Sequence, residues 1–268
     1  MSYALPTISR LSLTLVLSIT SYAAVAQSFD AVRLVAAPPG KDGGYVGAVV
    51  LAGTQYQGSD ERRTQVLPAI EYQWANGWFA GASNGLGYNF SEDDGLQYGL
   101  RVTADFGRRE RRSAALRGLG NVDAKPEFGG FFNYKVTPEF SLTSSLRYGA
   151  GDGGKGLVID LGAAYSARIA KQLRFGAGAS ATIANSDYLQ SFFGVTSEQS
   201  TRSAYPIYRT EGGVRSFRVS TSLTYLISPR ISAIASVSAT TLLGDAADSP
   251  FVRKKTNVTG LFIAAYAF

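Results

Sequence analysis

The chain has 268 residues, a formal charge of +6, and neither cysteine nor histidine. That excludes a disulfide framework, thiolate metal sites and most acid–base, metal and triad chemistry built on imidazole. Mean hydropathy is +0.01; only the N-terminus approaches the run of about 20 apolar residues that a spanning helix needs, and the basic excess favours phosphates or other polyanions without defining a fold.

Residues 1–26 read as a secretory signal peptide. Arg10 supplies the positive charge, residues 11–20 the apolar region and Ala24-Val25-Ala26 a small-x-small cleavage site. The run is too short for a membrane anchor, so the exported chain is expected to start at Gln27. Residues 27–43 form a Pro/Gly-containing periplasmic lead-in, and residues 44–268 a barrel.

From Tyr45 onward the chain alternates with period two. Phe217, Val219, Thr221, Leu223, Tyr225 and Ile227 share one face; Ser216, Arg218, Ser220, Ser222 and Thr224 share the other. This is strand, not helix. Eleven such segments follow one another: 45–52, 66–74, 78–90, 96–106, 126–136, 140–148, 157–169, 173–183, 214–227, 230–243 and 257–268. Many exceed the common strand length of about 5–6 residues. Aromatics (Trp74, Trp78, Phe140, Tyr148, Tyr165, Phe175) gather near segment ends as interfacial girdles do. An apolar face opposite a polar one, hairpin after hairpin, predicts an all-β fold: a transmembrane antiparallel up-and-down β-barrel.

The connections 75–77, 137–138, 170–171 and 228–229 are short and expected to be periplasmic; 54–65, 107–125, 185–213 and 244–256 are long and expected to be extracellular. These sides agree only if one more strand lies between Gly77 and Gly107. A hairpin turning at Asn84-Gly85 would supply it, although alternation runs unbroken from Trp78 to Phe90 and favours one long strand. Twelve strands is the reading, ten the alternative. The chain ends on Phe268 with Tyr266 on the same face, which resembles the signal read by the outer-membrane barrel assembly machinery; the stricter form has a glycine where this chain has Ile263.

Several short motifs, in order along the mature chain, resemble those of the MipA/OmpV family (MltA-interacting protein and OmpV-like outer-membrane proteins). They are Gln55-Tyr56-Gln57-Gly58-Ser59, Val66-Leu67-Pro68, Gly85-Leu86-Gly87 and Leu116-Arg117-Gly118-Leu119-Gly120, then Phe192-Phe193-Gly194-Val195-Thr196, Ala204-Tyr205-Pro206-Ile207-Tyr208 and Asp248-Ser249-Pro250-Phe251-Val252. The resemblance implies a non-catalytic barrel in the outer membrane of a Gram-negative bacterium. Some members are similar to scaffolds that join a murein hydrolase to a murein synthase; others are linked to adhesion, osmotic response or antibiotic uptake. It implies no cofactor and carries over no site residues.

The inward faces are expected to hold Arg101, Asp105, Glu127, Lys135, Arg147, Asp160, Arg168, Arg174 and Arg218. They make either a selective lumen or, favoured in a small barrel, a salt-bridge network that fills it. Arg108, Arg109, Arg111 and Arg112 form the densest charge run, suited either to the phosphates of lipopolysaccharide or to keeping a solvated loop soluble. The aromatics Tyr188, Phe192, Phe193, Tyr205 and Tyr208 are expected to fold the longest loop over the barrel mouth, with a short strand near 193–196, rather than to form an adhesive surface. The glycine-rich stretch 149–156 lacks the Gly-Lys-Ser/Thr ending of a phosphate loop and reads as a hairpin loop. The expected function is a scaffold for cell-wall enzymes in contact with outer-membrane lipid. The alternatives are a small-solute channel or an adhesin; nucleic acid is not expected as a partner.

Overall fold

The computed structural model describes residues 40–268. The signal peptide and most of the lead-in lie outside the described residues. Twelve strands close into one antiparallel barrel. In chain order they are β1 (Gly43–Thr54), β2 (Arg62–Gln73), β3 (Trp78–Gly81), β4 (Gly85–Asn89), β5 (Leu96–Asp105) and β6 (Lys125–Lys135), then β7 (Phe140–Ala150), β8 (Gly156–Ala170), β9 (Leu173–Ala184), β10 (Gly213–Leu226), β11 (Ile231–Leu242) and β12 (Thr256–Ala267). Each strand pairs with its sequence neighbours, and β12 returns to β1 with Tyr45 opposite Ala267 and Ala52 opposite Gly260. The last residue takes part in this seam: Gly44 N donates to Phe268 O (3.1 Å) and Phe268 N to Gly44 O (3.0 Å). The seam joins the first strand to the last, so the sheet closes on itself, as a β-structure that sits in hydrocarbon must. Among the described residues no helix is long and apolar enough to cross a membrane.

Alternation sets the two faces. Phe217, Val219, Leu223 and Tyr225 point outward and are exposed, while Ser216, Arg218, Ser220 and Ser222 point inward. Loop length orients the barrel, because such barrels have short periplasmic turns and longer extracellular loops. Connections 74–77, 136–139, 171–172 and 227–230 share a rim with the C-terminus; 106–124, 185–212 and 243–255 lie at the other. The periplasmic rim carries a chain of aromatic contacts: Phe268–Tyr72 (6.0 Å), Tyr72–Trp74 (4.8 Å), Trp78–Tyr88 (5.4 Å), Tyr88–Phe90 (5.2 Å) and Phe90–Tyr98 (6.0 Å).

Residues 78–90 are not one strand. They form the short hairpin β3–β4, which turns just before Gly85, at φ +75°. The register explains why the alternation hid it. Trp78 faces Tyr88 and Ala80 faces Leu86, so even residues meet even residues and the pattern crosses the turn without a break. The tip is held from β2: the Glu71 carboxylate accepts from Ser83 N (2.7 Å) and from Asn84 Nδ2 (3.2 Å). Gly81 is required beside it, since a Cβ there would lie 1.8 Å from Glu71 Oε2. Hydrogen bonds to a charged group contribute about 1.5–3 kcal/mol. Glu71→Ala is therefore expected to speed amide hydrogen exchange at Ser83 and Asn84 by roughly tenfold or more, while exchange in β8–β11 stays unchanged.

Candidate functional site

The extracellular mouth is filled by its own loops. Helix α1 (Ser186–Phe193) starts where the Asn185 side chain accepts from Tyr188 N. Helix α2 (Ser197–Arg202) starts with a capping box in which Thr196 and Gln199 satisfy each other's backbone. Helix α3 (Gly244–Asp248) lies in the last loop. Tyr188, Leu189, Phe192 and Phe193 of α1 pack with Val122, Val158, Leu242 and Ala246. Beside them Tyr56, Leu116, Leu119, Val195 and Phe251 form a second cluster, flanked by Tyr205 and Tyr208. Tyr56 OH donates to Phe251 O at 2.8 Å, and burial raises that phenol to about 12. The expected strand near 193–196 is a single bridge, Val195 to Tyr208.

Beneath the cap, strands β5 to β9 place charges at one height. Arg147 bridges Glu127 (Nη1–Oε2, 3.3 Å) and Asp160 (Nη2–Oδ2, 2.8 Å). Thr182 Oγ1 donates to Asp160 Oδ1 (2.7 Å), Thr103 Oγ1 to Glu127 Oε2 (3.3 Å) and Arg101 Nη2 to Ser145 Oγ (2.7 Å). Glu127 is 1% exposed. Register brings them together: Thr103 is opposite Glu127, Gly129 lies between Arg101 and Arg147, and Asp160 lies between Ser145 and Thr182.

Asp105, near the extracellular end of β5, accepts from Gly107 N (2.7 Å) and lies within electrostatic reach of Glu127, Arg147 and Arg215. The remaining inward charges lie apart. Arg218 donates from Nε to Thr240 Oγ1 (3.0 Å) on the β10–β11 wall. Lys135, Arg168 and Arg174 are exposed near the periplasmic ends of their strands, with Arg168 opposite Arg174.

Two buried charges escaped the sequence reading. Glu71 was visible in the alternation of β2. Arg215 was not: its parity assigns it to lipid, but a bulge between Val214 and Ser216 turns it inward, where Nη1 donates to Tyr188 OH at 2.9 Å.

The arginine run divides. Arg108 is 5% exposed, donates from Nη1 to Phe192 O (2.9 Å) and lies 4.9 Å from the centre of the Phe251 ring. It is an anchor under the cap, and burial lowers its guanidinium to about 10. Arg109 pairs with Asp123 (3.1 Å), and Arg111 is exposed. Burial, then the charges of Arg63, Arg109 and Arg111, lower Arg112 to about 10.

The wall itself is uneven. β3 pairs β2 only from Glu71 to Gln73, and β4 pairs β5 only from Gly99 to Val102. On the extracellular side of the hairpin tip, β2 and β5 continue without pairing each other. A cavity of about 460 Å³ opens there.

The family model described as MltA-interacting protein MipA matches residues 46–268. The chain belongs to the MipA family. No curated protein matches it. Among solved structures it is similar to the NanC porin, at 13% identity over 82% of this chain and 98% of that one, with a TM-score of 0.48. The KdgM porin matches at 9% identity over 84% and 99%, with a TM-score of 0.46. The outer membrane channel DcaP of Acinetobacter baumannii matches at 10% identity over 85% and 96%, with a TM-score of 0.40. In this MipA-family chain, five of the seven motifs that carry the resemblance build or border the cap, and the other two, Val66-Leu67-Pro68 and Gly85-Leu86-Gly87, border the gap in the wall.

Proposed function

We propose that this protein is a non-catalytic outer-membrane scaffold whose periplasmic face docks enzymes that synthesise and hydrolyse murein. One observation carries the reading: the extracellular mouth is packed shut by loop side chains, with Phe193, Phe251, Leu116, Leu119 and Val195 at 1% exposure or less. A sealed mouth argues against a solute channel and leaves the periplasmic rim as the face that works. That rim exposes Lys135, Arg168, Lys171, Arg174 and Arg230 on the β6–β11 side, and Glu92, Asp93 and Asp94 after β4. A charge-divided surface of this kind selects and orients a partner. The family description, MltA-interacting protein, is consistent with such a partner. On the outer side, Arg109, Arg111 and Arg112 are the groups offered to lipopolysaccharide phosphates; the barrel assembly machinery would act only during insertion.

Planar bilayers test the reading. Purified protein is expected to give no steady current, and cross-linked envelopes are expected to yield a murein hydrolase and a synthase with it. A steady open-pore current, with neither enzyme recovered, overturns the scaffold in favour of the channel.

A further inference from the structure

The wall between β2 and β5 contains a gap that faces lipid. β2 has no partner on its β3 side from Arg62 to Ala69, and β5 has none on its β4 side from Thr103 to Asp105. Two strands separate β2 from β5 at the periplasmic end. The gap therefore spans up to three strand spacings of about 4.8 Å, or about 14 Å. Backbone direction fits an open edge. Ile70 O accepts from Ala82 N and Trp74 N donates to Trp78 O, so even residues of β2 aim their backbone toward β3. Pro68 belongs to that series and has no N–H to leave unpaired, as suits a strand edge.

The flanks place the gap within the apolar band. Val66, Ile70, Leu86 and Val102 are exposed on the outer surface around it. Yet the cavity in the gap is lined from both faces of the wall. Leu86, Val102 and Ala104 come from the lipid side; Arg101, Glu127 and Arg147 come from the lumen. Residues of opposite parity can share one cavity only where the wall is perforated. Glu127 Oε2 takes Thr103 and Arg147, while the buried Oε1 has no hydrogen-bond partner, and Glu127 lines the cavity. Phe79 and Phe131, ring centres 5.7 Å apart, pack inside the wall on the periplasmic side of the cavity.

We propose that this gap is a lateral portal that binds a single-chain zwitterionic amphiphile from the membrane. Its chain lies along Leu86, Val102 and Ala104. Its anionic group meets the Arg101 guanidinium, and its ammonium donates to Glu127 Oε1. A cavity of about 460 Å³ is in the lower part of the small-ligand range of about 300–1,000 Å³, which favours one chain over two. The portal goes beyond the docking role and does not depend on it, because it opens through the wall and not through the periplasmic rim.

The test uses the absence of native cysteine. Thr103→Cys and Ser238→Cys, both inward-facing and on opposite walls, each carry a bimane label in vesicles whose phospholipids bear nitroxides on their acyl chains. The label at 103 is expected to be quenched at least twofold more than the label at 238. In parallel, native mass spectrometry follows retention of 1-lauroyl lysophosphatidylethanolamine. Arg101→Gln and Glu127→Gln are each expected to lower retention about tenfold. Ala104→Trp, on the exposed outer rim where folding is not at risk, is expected to abolish retention and to remove the extra quenching at 103. Equal quenching at the two positions overturns the portal. Retention unchanged by Ala104→Trp overturns the binding site.

Discussion

Replacing Phe251 with alanine is expected to unseal the extracellular mouth. The ring is fully buried, faces Tyr56 at 6.2 Å and Tyr205 at 6.1 Å, and lies under the Arg108 guanidinium. Deleting a buried phenylalanine costs about 3–5 kcal/mol, and only four other buried residues, Tyr56, Leu116, Leu119 and Val195, make up the cluster that would absorb the loss. The barrel wall shares few of those contacts, so the loss falls on the cap as local opening and not on the strands. Two readouts follow: protease cleavage within 185–212 and transient current in planar bilayers, both expected to be absent from the parent protein. Phe128→Ala, at an exposed position on the lipid face, is the control and should change neither. A Phe251→Ala protein that stays protease-resistant and electrically silent would show that the cap does not depend on this cluster.

The same residues show what the sequence could and could not disclose. Facing direction was legible wherever alternation was intact, since a one-residue slip would send every inward side chain into lipid. That is why Arg101, Glu127, Arg147 and Asp160 could be placed inside before any register was known. Which of them meet was not legible, because pairing across three strand boundaries is set by loop lengths and bulges. Arg215 shows the limit most plainly: one extra residue beside Val214 inverts its side. The β3–β4 hairpin shows a second limit, since an even-to-even register makes a turn and a continuous strand read alike. The cap was visible as aromatic density in a long loop. The burial of Arg108 was not, because nothing local distinguishes it from Arg109; the difference lies in contacts with Phe192 and Phe251, far along the chain.

Arg147 offers the sharpest measure of how dry the lumen is. It is the cation held between Glu127 and Asp160, whose side chains are 1% and 5% exposed. Taking one member out of a buried ionic cluster typically costs about 3–5 kcal/mol, because the remaining charges keep their desolvation penalty and lose their partner. Arg147→Met should therefore lower the temperature at which the folded, fast-migrating form disappears from SDS gels, and should do so more than Arg218→Met on the β10–β11 wall, where the guanidinium donates to the Thr240 hydroxyl. Neutralising the three paired groups in Glu127→Gln/Arg147→Met/Asp160→Asn should recover most of the loss, since neither carboxylate is then left charged without its guanidinium. The order of the three melting temperatures decides between two physical pictures. With a dry, side-chain-filled interior the single variant is the worst and the triple variant is close to the parent. With a wide, hydrated bore the single variant costs little, because water takes over from the guanidinium, and the case against a channel loses its support from below the cap.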